Sequence, residues 1–150
     1  MRIDLAKIAP EGVRFNGEEE VDFEAPGDRF RVEGPVRYSF RAQYVSGELI
    51  LAGELSVRVV FLCARCIEEF SRVVKDSAFF LVKEEADKNV SVDLTADIRE
   101  AILCAFPSHP VCDAACRGLC PQCGVNLNKG GCNCRPAGDS RWSGLDGLKL

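Results

Sequence analysis

Eight of the nine cysteines in this chain of 150 residues stand at spacings that suit thiolate ligation of a metal ion. Six fall between Cys112 and Cys134, as Cys112-x3-Cys116-x3-Cys120-x2-Cys123-x8-Cys132-x-Cys134, and one pair, Cys63-x2-Cys66, lies well upstream. Tetrahedral all-cysteine sites draw two ligands from each of two short turns, because a CxxC turn aims two sulfurs and nearby amide N–H groups at one point. Cys120-Pro121-Gln122-Cys123-Gly124 has that spacing, with a glycine free to take positive φ after the second ligand. Cys132-x-Cys134 supplies a second pair after enough chain to turn around, so Cys120, Cys123, Cys132 and Cys134 are assigned to one site. Cys63, Cys66, Cys112 and Cys116 remain as a second set of four, which would tie the upstream pair to the start of the C-terminal cluster. The alternative is a single ion in the C-terminal cluster, with Cys63 and Cys66 free. Zinc is the expected cofactor, one or two ions per chain, and iron or an Fe–S cluster competes for the same thiolates. His109, the only histidine, lies three residues before Cys112 and could replace a sulfur, but between Ser108 and Pro110 it reads as an ordinary loop residue. Cys104 has no partner at ligand spacing and reads as a buried small hydrophobe.

These cysteines point away from catalysis. A catalytic zinc keeps an open position for water and a nearby general base. Here sulfurs can saturate each site, and no HExxH, HxE, P-loop or nucleophile-elbow motif is present, so the expected catalytic set is empty. The Met1-Arg2-Ile3-Asp4-Leu5 start places an acid where the apolar core of a leader would begin, and no apolar run approaches the ~20 residues of a membrane span. The expectation is therefore a cytoplasmic, reducing compartment, where dense cysteines bind metal more often than they form disulfides, and where an odd count is no obstacle. The formal net charge is −4 and uneven: residues 112–150 carry five Lys/Arg against three Asp, while residues 1–111 are acidic. Each four-thiolate zinc adds −2 to that total. Neither half is the broad basic face that non-specific nucleic-acid binding uses, so a basic protein is the favoured partner class.

The elements that must position the cysteines are mainly strands. Val21-Asp22-Phe23-Glu24 and Phe30-Arg31-Val32-Glu33 alternate like short strands, and Glu18-Glu19-Glu20 reads as a solvated turn. The clearest strand is 36–45, with Val36, Tyr38, Phe40, Ala42 and Tyr44 on one face and Arg37 and Arg41 on the wet one. Ser46-Gly47 predicts a hairpin turn. Leu49, Leu51, Leu55, Val57, Val59 and Phe61 share the next face, and Gly53 marks a bulge or bend. That strand runs into Cys63-x2-Cys66, and another follows over about 69–82, which places the first CxxC at a hairpin tip. Residues 84–91 read as loop. Asp93 can cap a helix over about 94–105, with Leu94, Ile98, Ile102 and Ala105 on one stripe and Pro107 as its stop. The expected fold class is α+β, mainly β: an antiparallel sheet or small open barrel of about six strands over 1–83, then one helix. The expected domains are 1–107, β-rich, and 108–150, a Cys-rich metal-binding module that needs its metal to order. Its tail repeats an apolar residue every three (Trp142, Leu145, Leu148) and is expected to dock back on the domain.

A CxRC (Cys63, Arg65, Cys66) after a β-rich half, the helix DLTADIREAILCAFP, the stretch CDAACRGLCPQCGVNLNKGGCNC and the tail DSRWSGLDGL together resemble the YceD-like family of bacterial and plastid proteins, named for large ribosomal RNA subunit accumulation. The resemblance covers roughly residues 50–150, most specifically CRGLCPQCGVNLN. Where the family has Asp-Pro-Arg in the tail, this chain has Asp139-Ser140-Arg141. The resemblance implies a non-enzymatic factor that supports accumulation of 23S ribosomal RNA and assembly of the large ribosomal subunit. The implied partner is a ribosomal protein or a large-subunit assembly intermediate, without membrane or small-molecule substrate. Combined with the acidic charge, this predicts action mainly through a basic ribosomal protein, with at most local rRNA contact from Arg117, Lys129 and Arg135. Two rival classes remain: a redox-switched zinc protein of holdase-chaperone type, and a zinc transcription regulator. The second is disfavoured because the one helix offers a DNA groove only Arg99.

Overall fold

The structure is a computed structural model, and it describes residues 1–9, 11–23, 30–84, 87 and 89–134. The tail expected to dock, with Trp142, Leu145 and Leu148, lies outside the described residues, as does Arg135. The described chain folds as β1 (Arg2–Asp4), a 3-10 turn (Leu5–Lys7), β2 (Val13–Glu19), β3 (Phe30–Val45), β4 (Glu48–Leu62), β5 (Glu69–Glu84), β6 (Ser91–Asp93) and α1 (Thr95–Cys104). An open antiparallel sheet in the order β2-β3-β4-β5 forms its body, and β1 pairs with β6 in a second, two-stranded sheet. No helix among the described residues is long and apolar enough to cross a membrane.

The long hairpin β3–β4 follows from alternation and turn chemistry. Val36, Phe40 and Ala42 are fully buried on one face of β3, and Leu49, Leu51, Leu55, Val57, Val59 and Phe61 on the matching face of β4. Ser46 and Gly47, both at positive φ (56° and 86°), make the tight turn whose twist suits a two-residue connection. At Gly53 the strands approach so closely that a Cβ would stand 2.0 Å from the Ser39 carbonyl oxygen, so only glycine fits. The pairing of β4 with β5 shifts by one residue between Gly53 and Leu55, a bulge. α1 lies on the buried face of the sheet through Ile98 and Ile102, and Lys83 Nζ holds Asp97 Oδ2 at 2.6 Å. Asp93 Oδ1 accepts from the Thr95 amide (2.9 Å) and hydroxyl (2.6 Å), which satisfies an orphan donor in the first turn. At the helix C-terminal end, Phe106 sets its ring edge-on against Phe30 and Phe61, with centroids at 4.9 Å and 5.2 Å. That packing delivers the chain to the tip of the β4–β5 hairpin.

Several local expectations are corrected. Of the short strand expected at 21–24, residues 21–23 are not strand and Glu24 lies outside the described residues; β2 begins earlier, at Val13, and carries Glu18 and Glu19, so the acidic run is not a turn. Glu18 instead accepts from Arg37 at 2.8 Å across the β2–β3 pair. Residues 84–91 are not all loop, because Ser91 opens β6 and pairs with Asp4. Cys104 is exposed rather than buried. The apolar stripe through Leu94, Ile98 and Ile102 turns toward the sheet, and Cys104 falls on the far side of the helix beside Arg99 and Glu100.

Candidate metal centre

The eight cysteines at ligand spacing gather into two groups of four. The sulfurs of Cys63, Cys66, Cys112 and Cys116 all lie within 4.8 Å of one another, and so do those of Cys120, Cys123, Cys132 and Cys134. His109 and Cys104 join neither group. Four thiolates sharing one tetrahedral ion at about 2.3 Å each stand roughly 3.8 Å apart. The Cys63–Cys116 and Cys66–Cys112 sulfur pairs are at 3.9 Å and 3.7 Å. The donor set and spacing therefore fit one ion per group. A multi-iron cluster interposes several atoms and holds its cysteines further apart.

Each group is built on the same turn. The Cys63 amide donates to the Glu68 carbonyl five residues on (2.9 Å), and the Ile67 amide returns to the Cys63 carbonyl (2.9 Å). The Cys120 amide donates to the Val125 carbonyl (2.8 Å), and the Gly124 amide returns to the Cys120 carbonyl (2.9 Å). The residue after the second cysteine is left-handed in both, Ile67 at φ 61° and Gly124 at φ 74°. The first turn closes the β4–β5 hairpin; the second closes a miniature one, marked by the Leu119–Asn126 bridge. The upstream CxxC thus stands at a hairpin tip, as its flanking strands imply.

Electrostatics follow the turn. Burial pushes the Cys63 thiol up, but the N–H groups of Cys112, Cys66 and Arg65 outweigh it and bring the thiol down to about 6. The N–H groups of Cys123 and Gln122 bring Cys120 likewise to about 6. At the other end of each group, Cys112 is pushed up to about 12 chiefly by the Cys63 sulfur, and Cys134 to about 12 chiefly by the Cys123 sulfur. In the first group Cys116 is drawn down as well, burial being outweighed by the Asn128 amide and the Gly118 N–H, while Cys66 and Cys112 are pushed up; in the second, Cys132 and Cys134 are pushed up beside Cys120. Only a cation among them stabilises four thiolates at this spacing.

Residues outside the cysteine pattern complete the first group. The Arg65 guanidinium spans from the hairpin tip to the carbonyls of Ala114 (3.2 Å) and Cys116 (3.0 Å). The Ala64 amide donates to the Pro110 carbonyl (2.8 Å), and the Leu119 amide to the Arg65 carbonyl (3.1 Å). Glu68 holds both Lys129 and Asn126, and the Lys129 ammonium draws its carboxyl below the usual range. Asn128 Nδ2 donates to the Cys116 sulfur at 3.2 Å, while its Oδ1 accepts from the Arg117 amide at 2.8 Å. That amide orients a ligand, as outer partners of metal sites do. Cysteine arithmetic does not reveal Asn128 or Glu68; an Asn-x-Asn pair closing a turn beside the ligands was the available signal. Of the cations expected to touch RNA, Arg117 is exposed, while Lys129 is engaged by Glu68.

An uncharacterised protein of Mycobacterium tuberculosis is 33% identical over 119 residues, 70% of this chain and 58% of that protein. A Mycobacterium leprae protein is 29% identical over 107 residues, 62% of this chain and 49% of its own. The chloroplast protein of Arabidopsis thaliana named large ribosomal RNA subunit accumulation protein YCED homolog 1 is 36% identical over 59 residues, 39% of this chain and 18% of its own. The chain thus spans about half the length of the mycobacterial relatives and a smaller share of the plastid one. No solved structure matches. The profile of the family described as large ribosomal RNA subunit accumulation protein YceD matches residues 51–149, a span that takes in all eight clustered cysteines, and the chain belongs to that family.

Proposed function

We propose that this protein is a non-enzymatic factor supporting 23S rRNA accumulation and assembly of the large ribosomal subunit. It acts mainly through a basic ribosomal protein, and each four-cysteine group holds one Zn²⁺. The observation that carries this reading is the family match over residues 51–149. The acidic balance of the chain supports a basic protein partner. Zinc's part is structural: bound thiolates lock the loops at 110–134 onto the hairpin tip, and saturated sulfur coordination leaves no position for a substrate. Two experiments test the reading. In cells depleted of the protein, 23S rRNA should fall relative to 16S rRNA; unchanged ratios would overturn it. Affinity capture from cells should return large-subunit proteins, and a set of unfolded clients instead would favour a redox-switched holdase. The exposure of Cys123 and Cys134 gives that alternative a foothold. Retention of both zinc ions under mild peroxide would remove it.

A further inference from the structure

The outer face of the four-stranded sheet carries one cross-strand row whose chemistry the metal centres do not use. In register across β2, β3, β4 and β5 the row reads Arg14, Arg41, Ala52, Phe80. Phe80 is the most exposed large apolar side chain among the described residues, at 66%. Arg14 and Arg41 stand directly opposite each other, a like-charge pair that costs stability when nothing anionic lies on it. Among the described residues neither is in an ion pair; Arg41 donates only to the Glu11 carbonyl, at 2.9 Å. Elsewhere on this face the pattern differs, since Arg37 pairs with Glu18 and Arg31 with Glu33. Between the arginines and the ring lies an open depression of about 540 Å³, left by the small side chains of Ala52, Ser77 and Ala78 and bounded on one side by Glu54.

We propose that this face binds a segment of single-stranded RNA, with one base stacked on Phe80 and its backbone phosphates on Arg41 and Arg14. Neighbouring strands are about 4.8 Å apart, so Arg41 and Phe80 are separated by roughly 10 Å of sheet, with only Ala52 between them. A base on the ring then carries its sugar over Ala52 and its phosphates toward the guanidinium row. An exposed ring beside cations on a strand surface is how sheets read unpaired bases, and duplexes hide the base faces such a ring needs. The choice of RNA over DNA rests on the function proposed above; the choice of an unpaired strand rests on this face alone. The acidic chain is compatible with such a contact because the cations are local and few, which makes the site selective for a short segment.

The test is fluorescence anisotropy of the zinc-loaded full chain with a short labelled single-stranded RNA, the DNA of the same sequence, and the RNA duplex. Single-stranded RNA should bind, and the duplex should compete weakly. Phe80→Ala should weaken binding roughly tenfold or more, and Phe80→Tyr should retain it. Arg14→Ala with Arg41→Ala should weaken binding and lower the salt dependence by about one to one and a half counterions. Both variants lie on the exposed face, and circular dichroism checks that they fold. Equal binding by wild type and Phe80→Ala, preference for duplex or for DNA, or a dimer that Phe80→Ala dissolves while RNA does not bind, each overturns the proposal. The functional reading fails separately: it falls if depletion of the protein leaves 23S rRNA unchanged, whatever the purified chain binds.

Discussion

At Cys63 and at Cys120 the backbone makes the same turn, with the same pair of hydrogen bonds and the same left-handed residue after the second cysteine. What surrounds each turn differs. The first sits at the end of two long strands, with Cys63, Cys66 and Cys116 buried, and its other two ligands arrive from 46 and 53 residues away along the chain. The second has only the Leu119–Asn126 bridge behind it, its four ligands span 15 residues, and Cys123 and Cys134 are exposed. One group joins distant segments and the other folds a local loop. The same ligand chemistry therefore has two mechanical roles, and closing the longer loop removes more freedom from the unfolded chain.

Removing one ligand from each group tests this difference most strongly. Cys116→Ser should release one zinc per chain and lower the melting transition of the sheet, because the binding energy of a structural zinc, on the order of 10 kcal/mol, is folding energy for whatever the site joins. Cys132→Ser should also release one zinc but leave the sheet's transition in place. Native mass spectrometry counts the ions and far-ultraviolet circular dichroism follows the sheet; equal shifts in both variants would break the distinction. Gly53→Ala is the complementary change. It drives a Cβ into the Ser39 carbonyl and should cost about 3 kcal/mol or more with both zinc ions retained.

Smaller effects sharpen the same contrast. Arg65→Ala should cost about 2 kcal/mol and speed zinc loss from one site alone, followed with a chromophoric chelator. Both bonds leave one nitrogen, Nη1, so Arg65→Lys, whose ammonium carries three donors, should recover part of the loss. The two turns also predict opposite responses to exchange of their left-handed residue. Ile67→Gly should stabilise by about 1 kcal/mol, and Gly124→Ile should destabilise by about 1–2 kcal/mol, in chemical denaturation. The weakest prediction lies far from the metal. The Thr95 hydroxyl, then its amide, holds the Asp93 carboxyl down at about 2, against 3.8 in an open chain. Its contribution is complete above pH 3.8 and is lost as the pH falls through about 2. Wild type should exceed Asp93→Asn in stability at neutral pH, and the gap should close across that window; a constant gap would contradict the assignment.

The sequence made some of this legible and hid the rest for physical reasons. Strict alternation announced β3 from Val36 on, though not that residues 30–33 continue into the same strand, and a long apolar face with one glycine announced β4 and its irregularity. Hence the CxxC could be placed at a tip before any coordinate. The grouping of ligands followed from knuckle spacing and a count of what remained. β1 and β6 were out of reach, because three-residue strands carry no period and their partners lie 87 to 91 residues apart. Cys104 misled because a free cysteine usually behaves as a small hydrophobe, whereas its place two residues after buried Ile102, about 200° around the helix, turns it away from the sheet. The Asn128 contact with Cys116 and the two carbonyls under Arg65 are products of assembly, which no local pattern encodes.

The bulge opposite Gly53 acts on β5 as a change of parity. Phe79 points into the core on an odd number, and Val74, beyond the shift, on an even one, so a single inserted residue lets both halves of the strand face inward. The same step sets Phe80 outward in line with the arginines. Deleting one residue at Ser77 or Ala78 would force a choice, because whichever half kept its phase, the other would turn its core side chains to water. Core and outer row are written in one strand in two reading phases, and the spare residue is the punctuation that keeps both legible.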